Sequence, residues 1–346
     1  MAVGPIGIIT FRRSPIEHYP PLRMRALLAE AALQEVDLRF FTATDCDPAT
    51  GTVNASRWTN GDWTTEAIAL PRLVLYGSHA LTPEQKAMDA WIRSASRVVD
   101  YRARDKLKSA ALMAASPWAG HVIPSERLDP EEAEAQLHRW LAGGGIVVKA
   151  SDGMRGIGIR FVLPEDGRWT VACGTERWTG TAEEAVEQVL RSIRGRMSYR
   201  QYLVERYIGS RNALGQSVAI RVDVVRNPTG GWSLVRMTGR IAASGKLTSN
   251  GARGGAYMPI ESFLADRRVR PAEELTEEAF ALAAGAAEAL TIGEPETATY
   301  ECGIDLAIDP EDRLWFIEAN PRPQAVWAQH ERAMLVIAYL KALAST

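Results

Sequence analysis

Short apolar runs alternate along this chain with stretches of helical hydrophobic spacing, and the order of the two gives the first reading of the fold. Ile6 to Thr10 reads as a short buried strand, followed by the loop FRRSPIEHYPP and a Leu- and Ala-rich helix pattern from Arg23 to Gln34. Val36 to Phe41 returns to strand, Arg72 to Tyr76 is another apolar run behind a proline, and Pro83 to Ser94 is a helix with proline in its first turn. Strands alternating with helices predict a small α/β lobe with a mostly parallel sheet over residues 1–104.

Beyond it the pattern changes. A helix begins at Asp105 with Leu107, Ala111 and Leu112 on one side, and a second covers Pro130 to Leu141. The stretch GGGIVVKASDGMRGIGIRFV, Gly143 to Val162, then joins the β-branched run Ile146 to Val148 to an alternating run through Ile157, Ile159 and Phe161. A P-loop or a dinucleotide-binding turn would run into a helix, and the P-loop lysine would lie inside the loop. Here Lys149 precedes the loop and strands flank it, so the segment predicts a hairpin flap. With the helix TAEEAVEQVLRSI, residues 105–200 form an α+β lobe. Residues 201–346 form a second α+β lobe, with strands at YLVERYI, SVAIRVDVV, GWSLVRMTGRIA, GIDLAIDP and RLWFIEANP. The helix LTEEAFALAAGAAEAL interrupts these strands, and AMLVIAYLKALA closes the chain.

Two of those strands carry candidate chemistry. In GIDLAIDPEDRLWFIEANPRP, Gly303 to Pro323, apolar runs flank a proline-containing turn at Asp309 to Asp312, which predicts a hairpin. With Ile308 opposite Arg313 and no bulge, Asp305 lies opposite Phe316, and alternation places Asp305, Glu318 and Asn320 on one face. Diagonal cross-strand neighbours are ~7–8 Å apart. Two carboxylates and an amide at such separations suit Mg²⁺, which combines a few protein oxygens with water and phosphate. Asp309, Glu311 and Asp312 belong to the turn.

Composition narrows the function classes. The 346 residues are 46% hydrophobic and 24% charged, with a formal charge of −2, which points away from nucleic-acid and anionic-membrane partners. Cys46, Cys173 and Cys302 form no Cys-x-x-Cys pair, so neither a zinc site nor a disulfide framework is expected, and a reducing, cytoplasmic setting is. Neither a secretory leader nor a membrane span is expected. His18, His79, His121, His138 and His330 show no metal-binding spacing, and Gly-x-Ser-x-Gly is absent.

From Asp105 to about Trp327 the ordered elements resemble the ATP-grasp superfamily of carboxylate-amine ligases, and within it are similar to the YheC/YheD-like, spore-coat-associated group. The elements are DK at Asp105 and Lys106, VVKASDGMRGIGI with Lys149, YLVERYIG, IRV with Arg221, TGRIAASGKLTSNGARGG with Arg240 and Asn250, and GIDLAI with FIEANPRP. The resemblance implies an ATP-grasp architecture, with two α+β lobes clasping ATP behind an N-terminal α/β lobe. It also implies ATP and Mg²⁺ as cofactors. Lys106 and Lys149 are implied to contact the phosphates, Glu205, Tyr207 and Ile208 to hold the adenine, and Gly153, Gly156 and Gly158 to form the flap. Arg240 is implied to contact the transferring phosphoryl, with Arg221 as a second basic candidate, and Asp305, Glu318 and Asn320 to bind the metal. Where the group often has Asp-x-Arg, this chain has Ala219-x-Arg221, one polar group fewer.

The activity implied is ATP-dependent joining of a small-molecule acid to an amine, an amino acid or peptide, through an acyl phosphate. The alternatives are an ATP-grasp kinase acting on a hydroxyl and a non-catalytic coat or scaffold protein. Arg12, Arg13, Trp58, Trp63 and Arg253 are candidates for an acceptor site or for surface and core roles, and homodimer formation is left open.

Overall fold

The computed structural model describes residues 4–101, 105–153, 156–248, 254–265, 269–295, 297, 299–323 and 327–346. Three sheets organise them. In the first, β1 (Ile6–Thr10) leads through α1 (Pro15–His18) and α2 (Pro21–Leu33) to β2 (Leu38–Thr42), which pairs with it in parallel. The chain extends this sheet antiparallel with β3 (Cys46–Asp47), β4 (Thr52–Thr59) and β5 (Asp62–Ala69) before returning to β6 (Leu73–Tyr76) on the other side of β1. After α3 (Pro83–Ala95), β7 (Arg97–Val99) pairs in parallel with β6.

The β4–β5 hairpin went unread in the sequence, although its signal is present. Asn60 and Gly61 both take positive φ, 54° and 87°, as a two-residue turn of matching twist requires. Trp58 and Trp63 face each other across it with ring centroids 5.3 Å apart, and Trp63 meets Phe40 edge-on. Trp63 therefore packs within the first lobe, Trp58 lies exposed against it, and Arg12 and Arg13 are exposed beyond β1.

Between the lobes, α4 (Lys106–Ala114), whose Met113 joins the core of the third sheet, starts where Asp105 accepts backbone hydrogen bonds from Leu107 (2.8 Å) and Lys108 (3.4 Å). There follow β8 (Ser125–Arg127), α5 (Ala133–Leu141), β9 (Ile146–Ala150), β10 (Arg160–Glu165), β11 (Arg168–Cys173), β12 (Glu176–Gly180), α6 (Ala182–Met197) and β13 (Tyr202–Arg206). They form a sheet in the order β12-β11-β10-β9-β13-β8. Leu137, Leu141, Val189 and Ile193 of its helices pack on Val148 and Val162. The glycine-rich loop joins β9 to β10 antiparallel, as the pattern predicted.

The third lobe contains β14 (Val218–Arg226), β15 (Trp232–Ile241), β16 (Ala256–Pro259), α7 (Ile260–Leu264), α8 (Ala272–Ala289), β17 (Glu301–Ile308) and β18 (Leu314–Asn320), with sheet order β16-β15-β14-β17-β18. One face is apolar: Ile220, Val222, Ile304 and Leu306 share a core with Leu282 and Ala286 of α8. Alternation turns Arg221, Asp223, Gly303 and Asp305 to the other face. The last helix, α9 (Gln329–Ser345), crosses back, and Ile337 and Leu340 share a core with Ile6 and Leu27 of the first lobe. Among the described residues no helix is long and apolar enough to cross a membrane.

The β17–β18 register corrects the sequence reading. Ile308 pairs with Leu314, Leu306 with Phe316 and Asp305 with Glu318, so Ile317 is one residue in excess. Without that bulge, strict alternation would put Glu318 and Asn320 on the face of Leu314 and Phe316, which are core. The bulge reverses the parity and carries both polar side chains to the face of Asp305. The inferred trio is thus on one face, by a device that alternation does not encode.

Candidate functional site

A cleft of about 1120 Å³, its open mouth included, lies between the second and third sheets. Its lining mixes two chemistries. Ile123, Val147, Phe161, Tyr207, Ile208 and Ile317 give it an apolar slot, with the Phe161 and Tyr207 rings edge to face at 6.1 Å and 88°. Inside the slot's walls, the Tyr207 hydroxyl and Ser217 Oγ are buried without a hydrogen-bond partner. Lys106, Lys149, Arg240, Asp305 and Glu318 line the same cleft, with Lys106 paired to Glu318 and Arg240 to Asp305.

The two lysines are held by different devices. Lys149 on β9 and Glu205 on β13 meet across adjacent strands, Nζ to Oε1 2.7 Å, with both side chains largely buried. Lys106, in the first turn of α4, donates to the carbonyl of Gly153 and pairs with Glu318 Oε2 at 3.3 Å. It therefore ties the base of the flap to the third sheet. Burial would raise the Glu318 carboxyl, but the ammonium groups of Lys106 and Lys149 outweigh it and hold Glu318 below the usual carboxylate range.

Asp305 sits in a denser set of charges. Arg221, directly opposite on β14, approaches with Nε at 2.8 Å from Oδ1 and donates from Nη2 to Oδ2 at 3.1 Å. Arg240 donates to Oδ1 at 3.1 Å, and Asn320 Nδ2 to Oδ2 at 3.2 Å. Burial nevertheless raises the Asp305 carboxyl, with Arg221 and Arg240 opposing and Glu318 reinforcing. Behind Arg221 lies Asp223, 3.8 Å from its Nη1, with one oxygen unbonded and the carboxyl pushed up to about 6 by burial. Sequence reasoning missed Asp223, whose signal was an acid inside the buried run SVAIRVDVV.

These groups fit a hard divalent cation. Among the described residues no three acidic, histidine or cysteine side chains converge; a cation in this cleft would be held by Asp305 and Glu318 with Asn320 beside them. The remaining positions would fall to water and phosphate oxygens, the pattern Mg²⁺ favours.

Of the residues read from the sequence, Lys106, Lys149, Gly153, Gly156, Glu205, Tyr207, Ile208, Arg240, Asp305 and Glu318 line the cleft. Gly158 is in the flap with φ 70° and open space around it. Arg221 and Asn320 stand behind Asp305 as its partners. Asn250 and Arg253 lie outside the described residues. Ile123, Phe161 and Ile317 were not foreseen as slot residues, since nothing local distinguishes them from core.

A family described as YheC/D-like ATP-grasp matches residues 96–342. The endospore coat-associated protein YheD of Bacillus subtilis (strain 168) is 22% identical over 289 residues, 79% of this chain and 61% of that protein, so the chain spans about three fifths of that relative's length. Among solved structures, D-cycloserine synthetase DcsG is similar with a TM-score of 0.56 at 16% identity, over 99% of both chains. The ADP complex of N5-carboxyaminoimidazole ribonucleotide synthetase is similar at 0.53 and 13%, over 97% of this chain and 76% of that one. D-alanyl-alanine synthetase A of Vibrio cholerae O1 biovar eltor str. N16961 is similar at 0.50 and 15%, over 99% and 97%. At these identities the likeness is one of fold.

Proposed function

The chain belongs to the YheC/D-like ATP-grasp family, and from that premise we propose that it is an ATP-dependent carboxylate-amine ligase working through an acyl phosphate, with release of ADP and phosphate. The observation that carries the proposal is the lining of one cleft, which combines the apolar side chains of Ile123, Val147, Phe161, Ile208 and Ile317 with Asp305, Glu318, Lys106, Lys149 and Arg240.

A free carboxylate is a poor acyl donor because its leaving group would be oxide. Transfer of the γ-phosphoryl of ATP to the carboxylate oxygen breaks the bond to the β-phosphate oxygen and converts that oxide into phosphate. The amine then attacks the acyl carbon, phosphate departs, and the amine loses its proton. Phosphoryl transfer asks mainly for positioning and for positive charge around the equatorial oxygens. Lys149, fixed by Glu205, and Arg240, fixed by Asp305, supply preorganised charge there, where it counts most in the transition state. Mg²⁺, when held by Asp305, Glu318 and Asn320, would neutralise phosphate charge. The flap of Gly153, Gly156 and Gly158 would close over the phosphates and keep water from the acyl phosphate.

The same proposal places the reaction in a reducing, cytoplasmic setting, with Cys46, Cys173 and Cys302 as free thiols. Its test is phosphate accounting by ³¹P NMR with ATP, Mg²⁺ and a panel of acids and amines. A ligase yields ADP with equal free phosphate, a kinase leaves the phosphoryl on a product hydroxyl, and a scaffold turns over nothing.

A further inference from the structure

The side chains lining the cleft include the hydroxyls of Tyr207, Ser210, Ser217 and Thr248. Ser210 is committed to the fold: it donates to the Val218 carbonyl at 2.8 Å and accepts from the Ile308 amide at 3.1 Å. Thr248 lies against Gly156 of the flap. The Tyr207 and Ser217 hydroxyls are both buried without a hydrogen-bond partner, but that of Tyr207 sits on a ring of the apolar slot, edge to face with Phe161. Ser217 is only 7% exposed and lies on the wall formed by the third sheet. A buried hydroxyl left unpaired costs free energy. The empty protein therefore gains nothing from serine over alanine at this position.

Its place in the strand says which part of a nucleotide it meets. Ser217 immediately precedes β14, and alternation puts it on the face of Ala219 and Arg221. Arg221 stands opposite Asp305, and four residues of strand, ~13 Å, separate Ser217 from it. On its other side, the Val218 amide donates to the Ser210 carbonyl at 3.0 Å, which sets Ser217 beside the segment whose Tyr207 and Ile208 line the slot. Ser217 thus lies between the slot and the carboxylates, where a nucleotide carries its sugar. The chemistry agrees. The acids lining the cleft are Glu205, Asp305 and Glu318, and cations engage all three: Lys149, Arg240 and Lys106 respectively. The neutral hydroxyl of Ser217 both donates and accepts, as does each hydroxyl of ribose.

We propose that the Ser217 hydroxyl bonds a ribose hydroxyl of the nucleotide and so distinguishes ribonucleotides from their deoxy forms. The inference deepens the ligase reading and rests on its nucleotide. Because both partners are neutral, the discrimination is that of one ordinary hydrogen bond, about two- to tenfold in affinity. Ser217 is a specificity-determining residue, dispensable to the fold and used only when the cleft is filled.

The test uses the full chain with Mg²⁺, titrated calorimetrically with ADP, 2′-deoxy-ADP and 3′-deoxy-ADP. The parent is expected to bind ADP about two- to tenfold more tightly than at least one of the deoxy analogues. Ser217→Ala should bind ADP and that analogue alike, and Tyr207→Phe should keep the difference. The melting temperature of nucleotide-free Ser217→Ala should equal or exceed the parent's, since the orphan hydroxyl makes no contact to lose. Equal binding of all three nucleotides by the parent, a deoxy penalty that survives undiminished in Ser217→Ala, or one abolished by Tyr207→Phe overturns the proposal. A lowered melting temperature of Ser217→Ala with the penalty intact would make Ser217 a structural residue. Those outcomes leave the ligase reading standing, whereas binding of none of the three nucleotides removes both.

Discussion

Asp305 and Glu318 stand directly opposite each other on β17 and β18, one clasped by two arginines and the other by a lysine. The two acids are therefore unequal under mutation. Asp305→Ala strands Arg221 and Arg240 at a largely buried position, and removing one partner of a buried pair typically costs about 3–5 kcal/mol. Glu318 keeps more exposure, its side chain at 32% against 10% for Asp305, so Glu318→Gln is expected to cost less than Asp305→Ala. Both should lose Mg²⁺-dependent ADP formation. Urea denaturation alongside an ADP assay separates the effects, and equal stability losses would contradict the pairing described.

Gly303 reaches the same site without touching a ligand. A Cβ there would fall 1.9 Å from Arg221 Nη1 and 2.7 Å from Asp223 Oδ1, so Gly303→Ala must shift the Arg221 guanidinium that holds Asp305. Overpacking of this kind costs about 1–3 kcal/mol. The sharper expectation is a changed Mg²⁺ concentration for half-maximal ADP formation, since Asp305 loses its main anchor. An unchanged Mg²⁺ dependence would mean that Arg221 does not position Asp305.

Asp223 gives a pH signature. Burial raises its carboxyl from 3.8 to about 6, so between those pH values the folded chain holds a proton that the unfolded chain has released. Stability from this group is full below about pH 4, falls as pH rises, and levels off above about 6. The total loss is about 3 kcal/mol. Asp223→Asn should remove that slope. Urea midpoints of parent and variant across this range test it, and parallel curves would refute the raised Asp223 carboxyl.

Much of the fold was legible because burial follows period. Ile6–Thr10 and Leu73–Tyr76 are continuous apolar runs in a sheet packed on both faces, and Asp105 announced α4 as its cap. The carboxylate trio was legible as a set, but its geometry was not. Which residue bulges is decided by packing across β17 and β18, and Ile317 looks like any other apolar strand residue. The β4–β5 hairpin was legible through Asn60-Gly61 and overlooked because β5 is mostly polar and β4 offers only Val53 and Ala55 as a short buried face. Ser210 and Ser217 look alike in the sequence, and only the fold shows which hydroxyl is left without a partner.

Lys149 tests phosphate contact separately from base contact. Lys149→Ala should weaken ATP binding about ten- to a hundredfold, the range for a charge-assisted hydrogen bond, and leave adenosine nearly unchanged. Because Glu205 pairs with Lys149 at 2.7 Å, equal losses for ATP and adenosine would instead mean that the lysine acts by holding Glu205 against the slot. Calorimetric titration with both ligands decides between the two.

The central claim is activation of a carboxylate as acyl phosphate, and trapping tests it most directly. With ATP, Mg²⁺ and a panel of amino acids, guanidino acids and short peptides, hydroxylamine should replace the amine and give a coloured iron-hydroxamate complex. ADP and phosphate should appear in amounts equal to the hydroxamate, and Arg240→Ala should suppress all three products. Formation of AMP and pyrophosphate, or of ADP with the phosphoryl retained on a product hydroxyl, would contradict the account.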